Sequence, residues 1–162
     1  MLTLRVYPKI LLIMEVLYTA LKHSHSGLRW VVLILLLLAI FNAFGKRRGG
    51  SVYPGKDKLA LFALISVHVQ MLIGLVLYLW LSPLVSFEGG VMGDSVPRFY
   101  TVEHLFGMVI GIVLVTMGYA KAKRQAELNK GWKTIGIFYL IGLVAILASI
   151  PWPFRNLGGS WF

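Results

Sequence analysis

Cysteine is absent from the 162-residue chain. That excludes disulfide staples, thiolate zinc sites, cysteine-ligated iron–sulfur clusters, blue copper and covalently attached c-type haem. Any metal must be held by His, Met, Tyr, carboxylates or the backbone. Acid is scarce as well: six Asp and Glu stand against sixteen Lys and Arg, a formal charge of +10. Such a charge suits nucleic acid when it covers one surface. Here ten of the sixteen bases lie in two short segments, KRRGGSVYPGKDK (46–58) and KAKRQAELNKGWK (121–133). Bases clustered between apolar stretches are a membrane-topology signal, so nucleic acid is not an expected partner. The chain also has no Ser–His–Asp arrangement, no phosphate-binding glycine loop and no dinucleotide fingerprint, so an independent enzyme is not expected. No apolar run has the Gly/Pro-interrupted centre of a transporter's broken helix.

Apolar residues are abundant. They make up 58% of the chain, and the mean hydropathy of +0.79 is beyond that of a soluble domain. Four runs are long enough to cross a hydrocarbon core, which takes about 20 helical residues. They cover about 17–44, 59–81, 102–120 and 134–150, and none alternates apolar and polar like a barrel strand. The expectation is an all-α integral membrane protein, an up-down-up-down four-helix bundle formed by a single domain over 17–155. Residues 156–162 are then a carboxyl tail. No role is assigned to residues 1–16, where YTA makes a poor signal-peptidase site and Met14 is an alternative start. Both basic loops follow odd-numbered helices, so the positive-inside rule places 45–58 and 121–133 in the cytoplasm and both termini outside, in a bacterial inner membrane. Trp80, Tyr100, Trp152 and Trp161 fall near the outer boundary, as an interfacial belt does. Loop 82–101 reads either as an ordered cap over the outer mouth or as a plain connector.

Ionisable residues within a membrane are costly, which makes the four histidines candidates for function. His25 lies 21 residues before Lys46, about 31 Å at helical rise, and His104 lies 17 residues before Lys121, about 25 Å. The two therefore share a level near the outer face, on helices one and three, which are diagonal in such a bundle. Two imidazoles projecting inward from diagonal helices suit the two axial positions of a haem iron. His23 cannot share the face of His25, since two residues rotate a helix by about 200°. His25 is the preferred ligand, because Arg29 lies one turn below it on the same stripe, and His23 is the fallback. Arg29 and Arg98 suit haem propionates, or else snorkel to lipid phosphate. On helix three, Gly107, Met108 and Gly111 follow His104 at spacings of three, four and seven. These glycines either leave space for a ring edge or form a GxxxG pair that packs helices. His68, ten residues after Lys58, falls at mid-bilayer. Three readings stand for it: a second haem ligand with Met108, a proton relay or quinone contact with Gln70 and Tyr78, or a neutral imidazole bonded to a helix carbonyl.

At HSHSGLRW, VHVQMLIGLVLYLWLSP, RFYTVEHLFGM and the closing IPWPF, the chain resembles a family of short bacterial four-helix membrane proteins labelled "cytochrome B". The resemblance covers about residues 14–155. It implies b-type haem (haem b) and electron transfer, with His23 or His25, His68 and His104 at the matching positions. More loosely, the pattern is similar to the cytochrome b561-like architecture, whose bundles use paired histidines for two haems. The fourth helix here has no histidine and His68 has no partner, so the similarity does not extend to a two-haem relay. Three functions are expected to compete. One is a haem b electron-transfer protein with a quinone or periplasmic redox partner. The second is a copper or zinc site built from His23, His25, His104 and Glu103. The third is a non-catalytic subunit of a larger membrane complex.

Overall fold

The computed structural model describes residues 3–126 and 129–161. All regular structure among them is helical. Helix α1 runs Thr3–Arg48, α2 Lys58–Val76 and the short α3 Ser95–Arg98; α4 runs His104–Lys123 and α5 Lys130–Ser149. A π-helical turn, Leu77–Leu81, extends α2, and a second, Phe99–Glu103, joins α3 to α4. Four stretches are long and apolar enough to cross a membrane: Lys9–Arg48, Lys58–Leu81, Ser95–Lys123 and Lys130–Ser149.

Two helix starts differ most from those expected. The first helix begins at Thr3 rather than near residue 17, because no breaker separates LLIMEVLYTALK from the apolar run that follows. At about 1.5 Å per residue this helix is about 69 Å long, more than twice a hydrocarbon core of about 30 Å. Ile10, Leu11, Leu12 and Ile13 on its early turns are exposed on the protein. The third span likewise begins at Ser95. Asp94 caps it, its side chain accepting from the Val96 amide, and the π turn carries the helix through to His104 without a break.

The principal contacts are α1 with α2, α1 with α5, α2 with α4 and α4 with α5. These close a ring of four helices in which α1 and α4 stand on a diagonal. Small residues set how near the helices come. Gly111 and Gly142 face each other so closely that a Cβ on either would lie 3.0–3.1 Å from the other's carbonyl oxygen. Gly136 makes room for the Phe44 ring, and Gly131 for Tyr53. Without a hydrophobic drive between helices in lipid, such close backbone approach is the main source of helix association. The core is Leu36, Ala39, Ala43, Ala60, Ala63, Val67, Val115 and Ile135, all at or near zero exposure. Tyr139 is buried there too and donates to the Ala60 carbonyl at 2.8 Å. Tyr53, in the loop after α1, meets Trp132 edge to face at 4.9 Å.

Candidate functional site

At the end of the bundle where α1 carries His25 and α4 begins, all four helices line one cavity. His25 and Arg29 come from α1, Gln70 and Gly74 from α2, His104 and Met108 from α4, Ile146 from α5. The π turns supply Tyr78 and Tyr100, and the segment after α5 covers one side with Gly158, Gly159 and Ser160. Tyr78 donates to the Thr101 carbonyl at 3.0 Å, tying one π turn to the other. Wide turns of this kind recur at functional sites because they shift a helical register by one residue.

The imidazoles of His25 and His104 face each other across the diagonal, ring centres 6.4 Å apart and planes at 71°. His104 Nδ1 lies 2.7 Å from the Ser149 carbonyl oxygen. A carbonyl only accepts, so Nδ1 carries the proton and Nε2 keeps its lone pair. That acceptor is free for a reason legible in IPWPF. Ser149 is the last residue of α5, and the residue four further on is Pro153, which has no amide hydrogen to give. Pro151 likewise leaves the Leu147 carbonyl without a helical amide partner, and the end of the helix frees Ala148; side chains satisfy both. Trp152 Nε1 donates to Leu147 at 2.9 Å, and Arg155 donates to Ala148 at 2.9 Å and Ile150 at 3.2 Å.

His25 is held differently. Gln70 Nε2 donates to its backbone carbonyl at 2.8 Å. One turn further along α2, Gly74 lies under the ring, where a Cβ would come 2.9 Å from His25 Cε1. The Nδ1 of His25 and the Oε1 of Gln70 are buried without a partner. Arg29 is also buried; its Nη2 donates to the carbonyls of Ser160 at 3.1 Å and Trp161 at 2.8 Å, while Nε has no acceptor.

The structure separates the remaining sequence candidates. His23 is exposed and outside the cavity. Arg98 pairs with Glu103 at 2.8 Å and is not among the residues lining the cavity, so it is not placed as a propionate ligand would be. Met108 lines the cavity, but His68 does not. His68 Nδ1 donates to the Leu64 carbonyl at 2.8 Å, and Nε2 meets Thr116 Oγ1 at 3.4 Å. The expected second ligand pair of His68 with Met108 is therefore not assembled; the helix-carbonyl reading of His68 describes its contacts. The expectation that Gly107 and Gly111 make room for a ring edge is likewise corrected. A Cβ at 107 would collide with the Ser149 side chain, and one at 111 would lie 2.6 Å from Ile146 Cγ1. Both glycines pack α4 against α5. Among the described residues no group of three or more His, Cys, Asp or Glu side chains gathers, so His23, His25, His104 and Glu103 form no common copper or zinc site.

Sequence reasoning missed Gly74, the Ser149 carbonyl and the tail. Gly74 stands four residues after Gln70 in QMLIG, the spacing of one helix face, and that was its only signal. Comparison with protein-family models, with curated proteins and with solved structures gives no match.

Proposed function

We propose that this is a membrane electron-transfer protein that binds haem b between His25 and His104. The supporting observation is the spacing of the two imidazoles. A metal–imidazole bond is about 2.0–2.1 Å and a ring centre lies about 1.2 Å behind its ligating nitrogen, so two imidazoles holding one metal between them would have centres about 6.4–6.6 Å apart. The 6.4 Å between His25 and His104 fits that requirement. Other residues agree with it. The Ser149 carbonyl fixes His104 in the tautomer that leaves Nε2 as the ligand, the usual outer-shell arrangement for a metal-bound histidine. Gly74 leaves space for the His25 ring, and Gln70 fixes the backbone that carries it.

A haem held by His25 and His104 would supply one-electron transfer, which suits a carrier or a subunit of an oxidoreductase. The chain's own residues hold, orient and shield it. Ile146 and Met108 give the cavity an apolar wall, and the tail covers one side. The bundle sits in the bacterial inner membrane in an up-down-up-down arrangement, with Lys46, Arg47, Arg48 and the Lys121–Lys133 region at the cytoplasmic side. Both termini and the cavity then face outward, where a quinone or a periplasmic redox protein is the partner.

The test is a reduced-minus-oxidised absorption spectrum of protein purified in detergent with haem supplied during expression. A b-type α band and a Soret shift at one haem per chain are expected. Protein that is folded by circular dichroism yet colourless under those conditions sinks the proposal.

A further inference from the structure

Arg29 is 9% exposed and lies within the first membrane-spanning stretch. A buried guanidinium is ordinarily matched by a carboxylate, since an unpaired charge out of water is costly. The partners of Arg29 are neutral. One nitrogen, Nη2, donates to both the Ser160 and Trp161 carbonyls, and the rings of Trp30 and Trp152 lie 5.5 and 5.8 Å from the guanidinium carbon. The adjacent Nε–H is buried and idle. Among the described residues no Asp or Glu lines the cavity, and its wall carries a second cation, Lys22.

Nε–H and Nη2–H form one edge of the guanidinium, the edge that a carboxylate grips with both oxygens. Here Nη2 is taken up by two neutral carbonyl oxygens, and the Nε half of that edge is empty. We infer that Arg29 is the receptor for an acid group on the ligand of this cavity, and that the Ser160–Trp161 carbonyls occupy its place until the ligand displaces them. The segment that gives way is built to turn. Asn156 and Gly158 have φ of 56° and 74°, in the left-handed region, and ring contacts hold its far end, Trp161 stacking on Trp30 at 6.4 Å and lying tilted against Trp152 at 5.9 Å. The ligand class is a carboxylate-bearing amphiphile, whether the acid side chains of a haem or a fatty acid. Its haem form rests on the function proposed above; the acid site itself does not.

Two series separate them. In neutral detergent, haem-free protein is titrated with dodecanoate and with dodecanol, followed by emission of the tryptophans beside Arg29. Dodecanoate is expected to bind at least about tenfold more tightly, the worth of one charge-assisted hydrogen bond. Arg29→Gln is expected to abolish that preference, with helical content unchanged. Trp161→Ala loosens the competing tail and is expected to raise dodecanoate affinity severalfold, the opposite direction to simple damage. The second series adds haem b and its dimethyl ester. A preference for the free acid that Arg29→Gln removes assigns the haem's acids as the source; equal binding of the two, with the dodecanoate preference intact, assigns a fatty acid. Absence of any acid preference in the wild type, or its survival in Arg29→Gln, overturns the inference. A dodecanoate preference without any imidazole-ligated haem spectrum leaves it standing and removes the haem proposal alone.

Discussion

His104 on α4 is oriented by the last carbonyl of α5: its Nδ1 lies 2.7 Å from the oxygen of Ser149. The bond joins the two most closely packed helices at the rim of the cavity, and it makes Nε2 the only lone pair His104 has to offer. His25 has no such bond to its ring and depends on the shape of α2 beneath it. The two histidines are thus held by different means, and substitutions around them are expected to act differently.

In the proposed haem site, replacing either ring would remove a metal bond, worth at least as much as the 10- to 100-fold in affinity typical of its outer-shell partners. His25→Ala and His104→Ala are each expected to lower haem content by about 90% or more, measured by pyridine haemochrome per mole of protein. His23→Ala and His68→Ala are expected to leave it unchanged, since neither residue lines the cavity. Loss of pigment in His68→Ala with the other two unaffected would count against the assigned pair.

Gly74→Ala is expected to act on His25 alone. The new methyl would stand 2.9 Å from Cε1, so the ring has to tilt or slide. Haem affinity falls by about tenfold or the reduction midpoint moves, read by redox titration, while the thermal midpoint of the haem-free protein changes little. Gly27→Ala, a site with nothing within 4 Å of the added atom, is the control.

The four spans were legible in the length of the apolar runs, and the level shared by His25 and His104 in the count of residues to the basic borders. The diagonal placement of α1 and α4 followed from loop length. What composition does not encode is which way a glycine points. Gly107 and Gly111 share a face with His104 by spacing, yet the helix turns that face toward α5, and it is Gly74 on α2 that lies under a ring, that of His25. Likewise, the fourth apolar run ends at residue 150, but only the fold shows that the freed carbonyl of Ser149 meets an imidazole 45 residues away. Arg29 was placed on the right stripe, while its neutral partners on the tail depend on a chain reversal at Asn156 and Gly158 that periodicity does not report.

Two buried tyrosines give opposite expectations. Tyr139 donates to the Ala60 carbonyl, so Tyr139→Phe loses a buried hydrogen bond and costs about 1 kcal/mol. The hydroxyl of Tyr53 is buried with no partner, so Tyr53→Phe is expected to be neutral or stabilising by up to about 1 kcal/mol. Burial pushes the Tyr53 phenol up to about 12. An unfolded tyrosine ionises near pH 10, so between about pH 10 and 12 the folded protein binds the extra proton and stability falls as pH rises. Thermal melts in detergent at neutral pH and at pH 11 check both points, and the alkaline loss should be smaller in Tyr53→Phe.

Gly111 supplies the counterpart to Gly74. A Cβ there would lie 2.6 Å from Ile146 Cγ1 and 3.1 Å from the Gly142 carbonyl oxygen, and the backbone carbonyl cannot rotate aside. Gly111→Ala therefore has to push α4 from α5, an overpacking cost of about 1–3 kcal/mol. The same displacement separates His104 from Ser149, because the two lie on those helices. The expected result is a lower thermal midpoint in haem-free protein together with weaker haem retention, whereas Gly74→Ala weakens retention alone. A Gly111→Ala protein that melts like the wild type and loses only pigment would place Gly111 in the cofactor cradle, contrary to the packing seen here.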